Sequence, residues 1–136
     1  MTLITNLNSM ATPSERLWHA IAAKDFAKVK LSMDKGADAN AHLMCGTSVL
    51  MHAIQIGQFD IAKFLVRKGA DVNAKTIDPF TVLMYAVSTG DLSMVKCLVG
   101  EGADTTVLSG GDQLMTALGL AVKFNRVDIE VYLESR

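Results

Sequence analysis

Short apolar runs and turn residues alternate along most of the chain, at spacings typical of paired helices. Residues 81–87 (TVLMYAV) begin with a residue type that favours an N-cap and continue as a short apolar helix. Gly90 suits the left-handed conformation that ends such a helix. In residues 92–99, apolar side chains recur at helical spacing and predict a second helix with one buried face. The segment therefore predicts two short helices joined by a tight turn.

The same arrangement recurs at a fixed period. The tripeptide Gly-Ala-Asp begins at positions 36, 69 and 102, so that both spacings are 33 residues. An alanine of the first helix keeps the same spacing at Ala20, Ala53 and Ala86, and Ala121 follows 35 residues later. Helices of this length are marginal in water because nucleation is costly. The helix pairs must therefore stack and bury their apolar faces against their neighbours.

Three segments carry a motif in this register, residues 48–53 (SVLMHA), 81–86 (TVLMYA) and 116–121 (TALGLA). They resemble the Thr-Pro-Leu-His-x-Ala signature of ankyrin repeats, and residues 69–74 (GADVNA) are close to the hairpin consensus of that family. The resemblance covers residues 12–136. It implies an all-α fold, an ankyrin-type α-solenoid of four stacked helix-turn-helix repeats with β-hairpin-like loops.

The repeats are predicted at about residues 12–40, 41–73, 74–106 and 107–136, after a flexible N-terminal tail of residues 1–11. Polar residues at both ends of the array replace residues that are apolar elsewhere: Lys28 and Ser32 in the first repeat, and Glu130 and Glu134 in the last. A buried, unpaired charge is costly. We therefore expect that no further repeat stacks at either end and that the four-repeat array is complete.

The motifs depart from the family signature at two positions. Its proline and histidine are replaced by Val49 and Met51, by Val82 and Met84, and by Ala117 and Gly119. These helices lose the preset backbone angle of an N-terminal proline and the polar contacts of the histidine. We expect less rigid helix starts on the same fold.

Composition narrows the functional classes. The 13 basic and 14 acidic residues are scattered, leaving a net charge of −1 and no basic face for nucleic acid. No apolar run is long enough to span a membrane, and the N-terminus lacks the features of a secretory signal. The two cysteines, Cys45 and Cys97, do not resemble a disulfide framework. We predict a cytoplasmic protein that binds neither nucleic acid nor membrane.

Candidate reactive residues lie around the first interhelical loop. His42, Cys45 and His52 fall on different elements without paired spacing, which disfavours a metal site, and a Cys–His nucleophile pair lacks an orienting third group. The aspartates of the recurring tripeptide, Asp38, Asp71 and Asp104, are interpreted as hairpin hydrogen-bonding residues. We predict no enzyme, cofactor or metal; a site near His42, Cys45 and His52 is the less favoured alternative.

The resemblance implies that another protein binds to the concave side, formed by hairpin tips and inner-helix ends. Several tip residues are apolar where polar ones are usual, and such strips often mark a partner site. We predict Phe80 as the anchor, surrounded by Met44, Ile56, Ile77 and Phe124. The predicted partner-binding residues are Met44, Cys45, Thr47, Gln55, Ile56, Ile77, Asp78, Phe80, Ser88, Thr89, Met115, Lys123 and Phe124.

The predicted function is that of a protein–protein interaction module, acting as an adaptor, inhibitor or scaffold. The alternative is a structural module that associates with itself through the apolar tips. We expect a monomer in preference to a homodimer.

Overall fold

The computed structural model describes residues 12–136, which form eight short helices in four pairs. In chain order they are α1 (Pro13–Ala22), α2 (Phe26–Asp34), α3 (Val49–Gln55), α4 (Phe59–Arg67), α5 (Val82–Thr89), α6 (Leu92–Gly100), α7 (Ala117–Lys123) and α8 (Val127–Glu134). The predicted all-α repeat architecture is confirmed. The tail predicted at residues 1–11 lies outside the described residues.

The helix pairs stack in chain order. The first helices of the pairs, which we call the inner helices, contact one another in the order α1, α3, α5 and α7. The second helices of the pairs are called the outer helices, and α4, α6 and α8 contact one another in the same order. Leu17, Leu50 and Leu83 occupy the same register and are fully buried between successive pairs. Leu118, their equivalent in the last pair, is only half-buried. Burial of this position therefore depends on the following pair.

Two helix starts use methionine sulfur as a hydrogen-bond acceptor. The hydroxyls of Ser48 and Thr81 accept from the amides of Met51 and Met84 at 3.2 Å. In return, the amides of Ser48 and Thr81 lie 3.4 Å from the sulfur atoms of those methionines. A thioether is a weak acceptor, but it closes a reciprocal cap. The expectation that these two motifs lose their polar contacts is therefore wrong.

Left-handed residues join the two helices of each pair. Gly57 and Gly90 have φ values of 76° and 82°, and Asn125 has a φ of 56° in the last pair. Lys24 takes the same conformation in the first pair, with a φ of 58°. These residues let the chain reverse between two helices without a long loop.

Side chains also tie successive loops together along one edge. The Asn40 carboxamide oxygen accepts from the amide of Asp71 at 2.7 Å, and its nitrogen donates to the carbonyl of Gly69 at 3.3 Å. Asn73 makes the same two contacts with the next loop, at 2.7 and 3.2 Å. The Gly-Ala-Asp corners are therefore joined one layer apart on a common edge.

The aspartates at these corners bond locally. The carboxylates of Asp38, Asp71 and Asp104 each accept from the backbone amide two residues later, at 2.8 Å. Their predicted role in the hairpins is confirmed. The loops themselves are β-hairpin-like, since antiparallel bridges pair His42 with Ser48 and Lys75 with Thr81.

The predicted polar end positions differ in burial. Ser32 is buried, and its hydroxyl donates to the carbonyl of Lys28 at 2.9 Å. The Lys28 side chain is exposed, as is Glu134, while Glu130 is half-buried. The hydrogen bond within the helix explains how a serine is tolerated in a position filled by leucine in later repeats.

Helix α4 of the second pair has no side-chain hydrogen bond at its N-cap. Asp25 and Asp91 precede helices α2 and α6, and their carboxylates accept backbone hydrogen bonds, whereas Gln58 precedes α4 without such a bond. The change Gln58→Asp is expected to stabilise the protein by about 1 kcal/mol, measured by urea unfolding. Arg126→Asp at the matching start of α8 is the control. This change also removes the hydrogen bond from Arg126 to the Ser88 carbonyl, so the gain in stability at α8 should be smaller than at α4. Equal gains at the two helix starts would contradict this expectation.

Candidate functional site

The tips of the three loops between helix pairs are joined by backbone hydrogen bonds. The amide of Ile77 donates to the carbonyl of Cys45 at 3.0 Å, and the amide of Gly110 donates to the carbonyl of Pro79 at 2.8 Å. Gly46 permits this close approach, because a β-carbon there would lie 2.9 Å from the backbone of the neighbouring loop. The tips therefore form one connected edge.

Apolar side chains project from this edge into solvent. Met44 is 98% exposed, Ile77 is 78% exposed and Leu114 is 62% exposed, and Leu43 and Leu108 are exposed as well. We call these five residues the tip edge. Exposed apolar groups clustered in this way mark interaction sites more often than ordinary surface.

A pocket of about 520 Å³ lies between the last of these loops and α7. Its apolar lining comes from Phe80, Met115, Leu120 and Phe124, and its charged lining from Asp112 and Lys123. The Lys123 ammonium lies 6.0 Å from the centroid of the Phe124 ring. Apolar and polar groups thus both line this concave site, and sites of this shape can accept a ligand side chain.

An arginine side chain joins the third helix pair to the fourth. The Arg126 guanidinium donates to the carbonyl of Ser88 at 2.8 Å. It lies against Gly90, where a β-carbon would come within 2.9 Å of the Arg126 Cζ atom. Gly90 is therefore required both for its left-handed backbone and for the space above it.

Comparison with known proteins identifies the family. Residues 17–109 match a family model described as ankyrin repeats (3 copies). The chain belongs to the ankyrin repeat family. Ankyrin repeats are generally protein–protein interaction modules. No curated protein is similar enough to the chain to count as a match.

The fourth ankyrin-type pair, α7 and α8, lies beyond the residues matched by the family model and has the same two-helix form. Its motif threonine, Thr116, caps α7 by accepting from the amide of Gly119 at 3.2 Å. Within residues 12–136, no helix has both the length and the apolar character needed to cross a membrane.

The predicted partner-binding residues lie in three places on the ankyrin fold: the loop tips, the pocket and the ends of the inner helices. The first two loop tips carry Met44, Cys45, Thr47, Ile77 and Asp78. The pocket is lined by Phe80, Met115, Lys123 and Phe124. The ends of the inner helices α3 and α5 carry Gln55, Ile56, Ser88 and Thr89.

Phe80 does not protrude in the way that an anchor residue would. Its ring packs edge-on against Tyr85, with centroids 4.8 Å apart, and it is half-buried against the core. Ile56 is also half-buried against the core. Met44 and Ile77 are more exposed than either residue. The exposed apolar surface near the predicted anchor therefore comes mainly from Met44 and Ile77 at the loop tips, while Phe80 lines the pocket.

Each of the three candidate reactive residues contacts a group other than the remaining two. His42 contacts a backbone carbonyl through its Nδ1 atom at 3.2 Å. The Cys45 thiol lies 3.3 Å from the Thr47 hydroxyl, and this hydrogen bond lowers the pKa of the thiol. The His52 ring packs against Trp18 at 5.1 Å, and burial lowers the pKa of this histidine.

The pocket described above includes none of these three residues. In residues 12–136, no cluster of three or more histidine, cysteine or acidic residues is arranged to hold a metal ion. The described geometry therefore gives no support to the alternative of a reactive site near His42, Cys45 and His52.

Three structural residues were missed by the sequence analysis. Asn40 and Asn73, which tie the loops together, recur at the 33-residue period, so their spacing was a signal. Arg126 has no such signal, because the matching residue in the other pairs is Asp25, Gln58 or Asp91.

Proposed function

We propose that this ankyrin repeat protein binds another protein through its concave hairpin-tip and inner-helix surface, as an adaptor, inhibitor or scaffold. The observation that carries the proposal is the exposure of Met44 and Ile77 on two loops tied by a backbone hydrogen bond. Side chains on an edge that is already ordered lose less conformational freedom on binding than those on a free loop. The tip edge thus offers apolar area at low entropic cost.

The pocket beside the tip edge suggests the kind of group that the partner presents. Phe80, Met115 and Phe124 line one part of a pocket large enough for a bulky side chain, and Lys123 and Asp112 provide charged neighbours. Binding energy at interfaces is concentrated where a large side chain fills a well-packed pocket. We propose that the partner inserts an aromatic or large aliphatic residue there and covers the tip edge with further apolar contacts.

The remaining predicted residues surround these two features. Gln55 and Thr89 are exposed at inner-helix ends, and Asp78 is exposed on the second tip. In the proposal they form the polar rim of the interface, which excludes water from its centre. The proposal involves no catalysis, cofactor or nucleic acid.

The proposal is tested with a double variant of the tip edge, Met44→Asp with Ile77→Asp. Both side chains are exposed, so the fold is expected to persist, as checked by circular dichroism. Affinity capture from the native cell should recover a partner with the wild type but not with the variant, and the measured affinity should fall at least about 30-fold. The matched control is Val127→Asp with Val131→Asp, which charges two equally apolar, exposed positions on the outer helix α8.

Retention of the same partner by the tip variant, with loss in the α8 control, would contradict the proposal. Sedimentation at micromolar concentration distinguishes self-association from binding to a different protein. We expect a monomer; a concentration-dependent mass that the tip variant abolishes would instead assign the tip edge to contacts between copies of the chain.

A further inference from the structure

The two ends of the helix stack carry side chains of opposite charge. At the first pair, a groove of about 600 Å³ is lined by residues of α1 and α2 and of the turns that follow them. Arg16, Lys28 and Lys35 line it, and no acidic side chain in residues 12–136 does so. Leu31, which is 52% exposed, adds apolar surface. We call this site the basic groove.

The basic groove lies on the face that each later pair turns toward the pair before it. Lys28 occupies a repeat position that is buried in all three later pairs, at Ile61, Met94 and Ile129. In the first pair this position is exposed, and no helix in residues 12–136 precedes α1. The position is thus buried wherever a described pair precedes it, which assigns it to a stacking face.

The last pair carries carboxylates on the opposite stacking face. Glu130 lies in α8 and is half-buried. Its repeat position is fully buried in the first three pairs, at Val29, Ala62 and Val95. Glu134, one helical turn later, is exposed. The outer-helix side chains that would meet a following pair are therefore acidic.

Apolar side chains lie on the same face of the last pair. Val122 in α7 is 56% exposed. Its repeat position is fully buried in the first three pairs, at Ile21, Ile54 and Val87. Leu118, one turn earlier, is half-buried. We call the whole surface the acidic face, formed by Leu118, Val122, Glu130 and Glu134.

Three nearby residues of the opposite sign are held by other contacts. The Arg126 guanidinium donates to the Ser88 carbonyl of the third pair at 2.8 Å. The Arg136 guanidinium lies 4.6 Å from the centroid of the Tyr132 ring and donates to the hydroxyl of that residue at 2.6 Å. At the first pair, the Asp25 carboxylate accepts a backbone hydrogen bond as the N-cap of α2. These contacts leave the charges of the two end surfaces available to a third group.

We propose that the acidic face of one copy of the chain stacks on the basic groove of another, so that copies associate head to tail. A contact in the register of the helix stack places Glu130 and Glu134 of one copy against Lys28 of the next. Each charge that would be costly to bury alone then has a partner of the opposite sign. Val122 and Leu31 add apolar area beside these pairs.

Opposite charges remove the obstacle to stacking that the sequence led us to expect. An unpaired charge at either end disfavours an apolar repeat as its neighbour, whereas a copy of the chain brings a charge of the opposite sign. Because the two contacting surfaces differ, each copy that joins still presents an acidic face or a basic groove to another. Stacking in this register also continues the row of loop tips from one copy to the next.

The association is expected to be weak and sensitive to salt. Each face spans one helix pair, and the cost of desolvating the charges offsets much of their attraction. The chain should therefore remain a single copy at micromolar concentration and associate at roughly 0.1–1 mM.

Sedimentation equilibrium of the full-length chain tests the proposal. At an ionic strength of about 20 mM, the average mass should rise from one copy at about 10 μM to more than two copies at about 1 mM. Salt at about 0.5 M should return the mass toward one copy. A mass of one copy at every concentration would overturn the proposal, as would a mass that levels off at two copies, because a closed symmetric contact would then be responsible.

Charge reversal identifies the two surfaces. Lys28→Glu with Lys35→Glu reverses the basic groove, and Glu130→Lys with Glu134→Lys reverses the acidic face. Each variant should lower the association constant at least about tenfold. The chain that carries all four changes has the net charge of the wild type and should regain association, since each face again meets its opposite. Circular dichroism checks folding, and Glu134→Lys alone replaces the acidic-face variant if that variant is unfolded.

Matched controls change the same number of charges at exposed positions of other outer helices. They are Lys68→Glu with Lys96→Glu, and Asp60→Lys with Glu101→Lys. Both control variants, and the tip-edge variant used to test the proposed function, should associate as the wild type does. Equal losses in the controls, loss in the tip-edge variant or a chain with all four changes that stays a single copy would overturn the proposal.

Discussion

Replacing Leu83 with alanine is expected to lower the free energy of unfolding by about 3 kcal/mol. Leu83 is 1% exposed in α5, the helix of the third pair that contacts α3 of the second pair and α7 of the fourth. Its truncation removes buried apolar area and leaves a cavity that stacked helices can fill only partly. Urea unfolding followed by circular dichroism measures the loss.

The matched control is Leu118→Ala, which changes the same repeat position in α7. Leu118 is half-buried because no later helix in the described chain covers it. Its truncation is expected to cost about 1 kcal/mol, since less apolar area returns to water. Equal losses at the two leucines would show that stacking by the following pair is not what buries this position.

The change Gly90→Ala is expected to destabilise the protein by roughly 2–3 kcal/mol. Gly90 has a φ of 82°, which costs an alanine about 1 kcal/mol. The added methyl group also meets the Arg126 guanidinium. Moving that side chain disrupts its hydrogen bond to the Ser88 carbonyl, which adds a further cost. Urea unfolding measures the sum.

Gly57→Ala separates the backbone effect from the contact with Arg126. Gly57 has a φ of 76°, but a β-carbon there would meet nothing within 4 Å. Its substitution should cost only about 1 kcal/mol. Adding Arg126→Ala should be nearly neutral in the Gly90→Ala protein and destabilising in the wild type. The same cost in both backgrounds would rule out the steric explanation.

The fold was predictable because residues with narrow conformational roles recur in register. Gly57, Gly90 and Asn125 each suit one left-handed position, and their fixed distance from the motif alanine locates the turn. Leu83 and the leucines at the same repeat position then identify the helix face that the neighbouring pair must bury. Local preference and the repeat period agree at these positions, so few alternative folds remain.

The site was predictable in outline but not in its details. Met44 and Ile77 stand at loop tips, where an apolar residue has little core within reach, and both are exposed. Phe80 lies close to its helix, and its direction depends on the neighbouring Tyr85 ring, which sequence spacing does not specify. The sulfur caps of Met51 and Met84 were missed because a thioether in an apolar helix is usually interpreted as packing alone.

Amide hydrogen exchange of the complex with the captured partner most directly tests whether the tip edge is the binding surface. We predict slower exchange at residues 43–47, 76–80 and 108–115 when the partner is bound, with the outer helices α2, α4 and α6 unchanged. Protection confined to those outer helices, with unaltered exchange at the three loop tips, would contradict the proposed function.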